Sequence, residues 1–203
     1  MNLINADLTQ AIHATREDWL TAGVEELRSV FDAIQKPIPA KVRVACGFPL
    51  NAKRSRAIGE CHPVANSGDN AVEIFISPEL DDPLQVFEVL VHELCHATAG
   101  AMNHGVNFQR VAALMHLEPC NPTKKTNAWG STKGTTLFKP SFGMIIDSLG
   151  VYPHAKLDFS TRKKQSTRML KAFCPSCGYT VRLTTKWASQ GLPTCPCGDD
   201  FTL

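Results

Sequence analysis

Across residues 8–34 apolar side chains return at helical spacing: Leu8, Ile12, Trp19, Leu20, Val24, Leu27, Val30, Phe31 and Ile34. The pattern predicts one long amphipathic helix over about residues 7–35, or two with a break at Gly23. Its polar side carries Arg16, Glu17, Asp18, Glu25, Glu26 and Arg28. Pro37 and Pro39 end it. Residues 41–46 alternate polar and apolar, which predicts a half-buried strand, with a second strand over 57–62. A turn over 66–70 leads into the clearest strand, 71–77, rich in Val, Ile and Phe. From 84 to 99 the apolar residues wrap most of a helix, so that helix is central. Asp82 is its N-cap, Pro83 its first residue and Gly100 its stop, giving about five turns. Phe108, Val111, Ala112, Leu114, Met115 and Leu117 predict a following helix, closed by Pro119 and Pro122. Residues 121–143 are a linker or a loop over a cleft, and 144–152 form a short apolar patch that packs on the core.

The central helix holds His92-Glu93-Leu94-Cys95-His96. Histidines four apart sit one turn above each other, so both reach one zinc ion. Glu93 points to the space beside that ion, where it can take a proton from water. Two satisfied core histidines without a metal are the plain alternative, but a Glu and two His on so apolar a helix need a reason. Cys95 lies on another face and reads as a small core residue. A hydrolytic zinc needs a third protein ligand and an open position. His104 is nearest, across the turn at Gly100, and His116 and Glu118 are its rivals. Cys61 and His62 are ligands by type but read as ordinary residues, and Cys120 as structural.

A second metal pattern closes the chain. Cys174-Pro175-Ser176-Cys177-Gly178 is followed, with seventeen residues between Cys177 and Cys195, by Cys195-Pro196-Cys197-Gly198. Four thiolates bind a structural zinc tetrahedrally, and a strand over 179–184 follows the first knuckle as a zinc ribbon requires. The second pair, Cys-x-Cys, is one residue short of the usual knuckle. A redox dithiol is the alternative for Cys174 and Cys177, without the βαβ setting that thioredoxin-like chemistry uses.

The 203 residues carry a formal charge of +2, unevenly spread. Residues 1–120 hold 9 Lys/Arg against 15 Asp/Glu, whereas 121–203 hold 12 against 4. The basic half suggests an acidic partner such as nucleic acid, and a solvated tail explains it equally well. Arg162, Lys163, Lys164, Arg168 and Lys171 lead into the ribbon. Near Phe159, Phe173, Tyr179 and Trp187 they suit backbone charge plus base stacking on a single strand. The start of the chain lacks a basic region and a long apolar stretch, and no run has membrane-spanning length. The expectation is a cytoplasmic protein with no membrane partner, whose eight cysteines bind metal or stay free.

The run His92-Glu93-Leu94-Cys95-His96 with His104-Gly105-x-x-Phe108 resembles the SprT-like metallopeptidases, the group that includes the eukaryotic protease Spartan. It differs from the His-x-x-Gly-x-x-His continuation of the metzincins. The resemblance covers about residues 7–120 and the last thirty. It implies that His104 is the third ligand and that the fold is α+β and zincin-like. That fold would comprise an N-terminal helix, a small sheet, the active-site helix and a following helix, then a small zinc ribbon. The expected division is 1–120 peptidase domain, 121–170 partly packed linker and 171–203 ribbon. The strand over 71–76 is the expected edge along the cleft. The implied activity is a zinc-dependent endopeptidase, with one catalytic and one structural zinc, cutting proteins associated with or crosslinked to DNA, in the cytoplasm or at the nucleoid. The alternative is a non-catalytic zinc-binding protein that serves nucleic acid or transcription.

Overall fold

The computed structural model describes residues 12–50, 57–100, 102–158 and 169–203. It is a mixed α+β chain in two compact units, Met1–Leu157 and Asp158–Leu203. The first unit therefore runs well past residue 120. The expected linker supplies it with a strand and a helix.

Helix α1, Arg16–Ala33, starts at a capping box. Thr15 accepts the Asp18 N–H at 3.1 Å and gives its own N–H to the Asp18 carboxylate at 3.2 Å. The helix does not break at Gly23. A Cβ there would stand 3.1 Å from Leu90 Cδ2, so the missing side chain lets α1 lie close on the central helix. Arg16, expected on the polar side, is buried. Its guanidinium donates to the carbonyls of Pro153 (3.0 Å), Pro78 (3.2 Å) and Ala155 (2.9 Å) and lies over the Tyr152 ring.

Strands β1 (Val42–Cys46), β2 (Gly59–His62) and β3 (Val72–Ile76) form one sheet in the order β1-β3-β2. β1 runs parallel to β3, with Val44 beside Ile74, and β2 runs antiparallel, with Cys61 beside Ile74. Val72, Ile74 and Ile76 alternate into the core, as the period-two pattern requires. β3 is thus the central strand, with both its ladders used. Among the described residues β1 and β2 are the two edges, and β2 is the one along the cleft, which corrects the expectation for 71–76.

Helix α2, Pro83–Ala99, has the predicted limits. Asp82 accepts the Gln85 N–H at 2.8 Å, Pro83 opens the helix, and Gly100 stops it at φ 63°. Helix α3, Val106–Leu114, ends earlier than its apolar pattern suggests. His116 takes a positive φ of 58°, and the chain leaves as β4, Leu117–Pro119, which pairs antiparallel with β5, Thr132–Gly134. Helix α4, Phe138–Leu149, extends the predicted apolar patch forward and buries Phe138, Phe142, Ile146 and Leu149, while Met144 stays exposed. One core unites these elements: Trp19, Leu27 and Phe31 of α1, Ile74 and Ile76 of β3, Phe87, Leu90 and Leu94 of α2, and Phe138 of α4. Trp19 meets Phe87 and Tyr152 edge-on.

In the second unit, β6 (Leu170–Phe173) pairs antiparallel with β7 (Thr180–Leu183), followed by the short α5, Thr185–Ala188. Its core is small: Ala172, Cys174, Cys195 and Phe201. No helix among the described residues is long and apolar enough to cross a membrane.

Candidate functional site

On α2 the four-residue spacing stacks His92 and His96 on one face, and their rings lie 5.1 Å apart. The turn at Gly100 brings His104 back over them just before α3 begins. His104 Nε2 lies 3.2 Å from His92 Nε2 and 3.2 Å from His96 Nε2. Phe108, fully buried on α3, packs against all three rings at centroid distances of 4.3 to 4.8 Å. Gln109 donates to the His104 carbonyl at 2.8 Å, which secures the entry to α3. The two rivals for third ligand lie elsewhere. His116 faces Phe142, and Glu118 pairs with Lys133.

Burial, then the neighbouring rings His96 and His104, push His92 down to about 3. His104 falls to about 4, through burial and His96, with an Asn127 hydrogen bond acting the other way. All three donors are imidazoles, and those two are neutral at pH 7, the form that ligates a metal. The cluster fits an ion. In a tetrahedron, nitrogens about 2.0–2.1 Å from a metal stand about 3.3 Å apart, close to the observed 3.2 Å spacings. The three histidines therefore form a group that could hold a metal ion.

Glu93 is buried beside this cluster, only 4 % exposed. Burial raises it to about 8, and the Glu60 carboxylate pushes the same way. Its carboxylate lies against Gly59 of β2, where a Cβ would be 2.4 Å from Glu93 Oε1. Cys61, on the same face of β2, is pushed up to about 12 by burial and then by Glu93. Cys95 is buried in the core, and Cys120 is exposed.

A cleft of about 820 Å³ opens over the cluster. One wall is residues 57–63 with Asn66. The other is Lys124, Asn127, Gly130, Ser131 and Thr132. The floor is Glu88, Val89, His92, Glu93 and His96. The second wall comes from the stretch read as linker or loop. No spacing signal marks it, because it meets α2 only through the β4–β5 pairing. Thr132 Oγ1 lies 2.8 Å from His92 Nδ1, and the Gly134 N–H donates to Glu88 Oε1 at 2.9 Å. On the first wall Ser77 donates its N–H to the Ile58 carbonyl at 2.9 Å. Antiparallel alternation then turns the backbone of Glu60 and His62 to β3 and that of Gly59 and Cys61 to the open edge.

In the second unit Cys174, Cys177, Cys195 and Cys197 converge, with Sγ–Sγ separations of 3.5 Å for Cys174–Cys197 and 3.4 Å for Cys177–Cys195. The Cys177 and Ser176 N–H groups hydrogen-bond Cys174 Sγ and hold its thiol down to about 7. Gly178 and Gly198 take positive φ of 76° and 99° at the two knuckles. The short Cys-x-Cys pair thus reaches the same point as the longer one. This group too could hold a metal ion.

Of the basic residues read as nucleic-acid contacts, Arg162, Lys163, Lys164 and Arg168 lie outside the described residues, as does the aromatic Phe159. Lys171 is on β6, directly opposite Arg182. Both are exposed, on the face that also carries exposed Phe173.

Comparison with protein-family models, with curated proteins and with solved structures finds no match.

Proposed function

We propose that this chain is a zinc-dependent endopeptidase of SprT-like type, with a zincin-like first unit and a zinc ribbon as its second. The observation that carries the proposal is a buried carboxylate, Glu93, beside three converging imidazoles at the floor of an open cleft. His92, His96 and His104 would hold the catalytic zinc, and Cys174, Cys177, Cys195 and Cys197 the structural one. When bound, the catalytic zinc supplies Lewis acidity, which makes water more acidic and polarises a peptide carbonyl. The positive charge of a bound ion would hold Glu93 as the carboxylate, against the upward push of its burial, so that it could take the proton from water and hand it to the amine that leaves. Its burial excludes bulk water from that transfer. An extended substrate strand would pair with Gly59 and Cys61 at the open edge of β2, so that backbone groups position the scissile bond.

Glu93→Gln tests the chemistry. The variant should keep the three-histidine metal and lose cleavage of an unfolded protein substrate. Full cleavage by a metal-loaded Glu93→Gln protein would remove Glu93 as the base.

A DNA-associated substrate is supported by the second unit. Like charges directly opposite on a strand pair repel, yet Lys171 and Arg182 face each other in the open beside Phe173. A phosphate backbone would relieve that repulsion, and a base would stack on the ring. The full chain should bind single-stranded DNA with strong salt dependence, and Lys171→Ala with Arg182→Ala should weaken it. Equal binding by that double variant at low salt would clear the ribbon of this role. A non-catalytic, nucleic-acid-binding protein remains the other reading. It predicts DNA binding with no cleavage of DNA-bound protein.

A further inference from the structure

We propose that Thr132 is a positioning residue for the metal centre, and that the segment 127–132 orients two of its three imidazoles. The inference rests on the three-histidine cluster holding a metal ion.

The two nitrogens of His92 face different partners. Nε2 is turned to the cluster, 3.2 Å from His104 Nε2. Nδ1 is 2.8 Å from Thr132 Oγ1. An imidazole that offers its Nε2 lone pair to a metal carries its proton on Nδ1. That proton needs an acceptor, because the ring is largely shielded from solvent on α2. Thr132 Oγ1 is the acceptor the fold provides. It selects the ligating tautomer and stops the ring from turning about its bond to the chain.

Thr132 is itself held in place. It lies opposite Pro119 in the β4–β5 pair. Two residues on, the Gly134 N–H donates to Glu88 Oε1 at 2.9 Å. Glu88 stands one helical turn before His92 on α2, so the segment meets this helix at two successive turns. Gly134 has no room for a side chain. A Cβ would be 2.6 Å from Glu88 Oε1 and 2.7 Å from Phe138 Cβ. The same segment reaches His104 through a hydrogen bond that the imidazole gives to the Asn127 side chain. Asn127 takes the left-handed backbone conformation, φ 50° and ψ 45°, which asparagine tolerates better than most residues. One stretch of chain thus supplies partners to rings from α2 and from the turn before α3.

The test uses the full chain as wild type, Thr132→Val and Thr132→Ser. Valine keeps the shape and removes the acceptor, and serine restores it. Three quantities are read: zinc retained per chain in competition with a chelator, the visible spectrum of the cobalt-substituted protein, and thermal melting. Thr132→Val should bind the three-histidine ion about 10–100-fold more weakly and shift its cobalt band, as loss of a ligand's hydrogen-bond partner does elsewhere. The four-cysteine ion should be unchanged, and Thr132→Ser should return to within about threefold of wild type. Wild-type affinity and an unshifted band in Thr132→Val would overturn the proposal. So would equal loss in Thr132→Ser, which would place the effect in packing. A wild-type protein that takes up only the thiolate-bound ion fails earlier. It would overturn the metal reading of the histidines, and this inference with it.

Discussion

Adding one methyl group at Gly59 should separate catalysis from metal binding. A Cβ there would stand 2.4 Å from Glu93 Oε1, 2.6 Å from Val89 Cγ1 and 3.0 Å from Glu93 Cδ. Ordinary contacts between such atoms are about 3.5–4.0 Å, so each must open by roughly 1 Å. Val89 cannot swing away, because a β-branched side chain in a helix has essentially one χ1 rotamer. Either the Glu93 carboxylate moves or β2 lifts off α2. Overpacking of this kind costs about 1–3 kcal/mol. In a unit of this size that lowers Tm by about 2–12 °C. A displacement of about 1 Å at the reacting group costs about 100-fold in rate. None of the three clustered histidines lies among the atoms closest to the added methyl, so metal content should stay at the wild-type level. The assay is kcat/KM on an unfolded protein substrate, with metal analysis and a melting curve on the same sample. Gly68→Ala is the control, since a Cβ there meets nothing within 4 Å. Wild-type kcat/KM and Tm in Gly59→Ala would refute the close approach of β2 to Glu93.

Three further outcomes follow. Cys197→Ser should remove one metal ion per chain and loosen the second unit, whose buried core is small; two ions retained would show that Cys197 is no ligand. Asp82→Ala should lower stability by about 0.5–2 kcal/mol through loss of the cap on Gln85, read by denaturant unfolding. Asp69 is held below its ordinary value by the Ser67 hydroxyl and then by Arg43, and Glu73 by its hydrogen bond to Arg43. Depressed carboxyls contribute stability above their unfolded pKa values, near 4, and lose it as pH falls through the folded ones. Arg43→Ala should therefore flatten the acid limb of the stability–pH curve below about pH 5, and an unchanged limb would remove this network from the account.

What could be read from the sequence was local. The cap, first residue and stop of α2 are consecutive chemical signals, and Asp82, Pro83 and Gly100 occupy those roles. The cysteine knuckles and the alternating strands are legible for the same reason. Sheet order was not, because β2 lies between β1 and β3 in the chain but outside them in space. The edge role expected for 71–76 fails on that point. Gly23 looked like a break because helix propensity penalises glycine. The close approach of Leu90 decides otherwise. Thr132 and Asn127 carry no spacing relative to His92 and His104 that a motif could catch. Their contacts exist only once β4 and β5 have paired.

The buried guanidinium of Arg16 has a consequence for how the protein is made. A ribosome delivers that residue well before its carbonyl acceptors at Pro153 and Ala155. Until they emerge, burying this cation would leave much of its N–H fork unmet, a cost of several kcal/mol. The first unit therefore locks only after most of its length has been translated. A nascent chain would carry all three clustered histidines long before it owns a finished first unit.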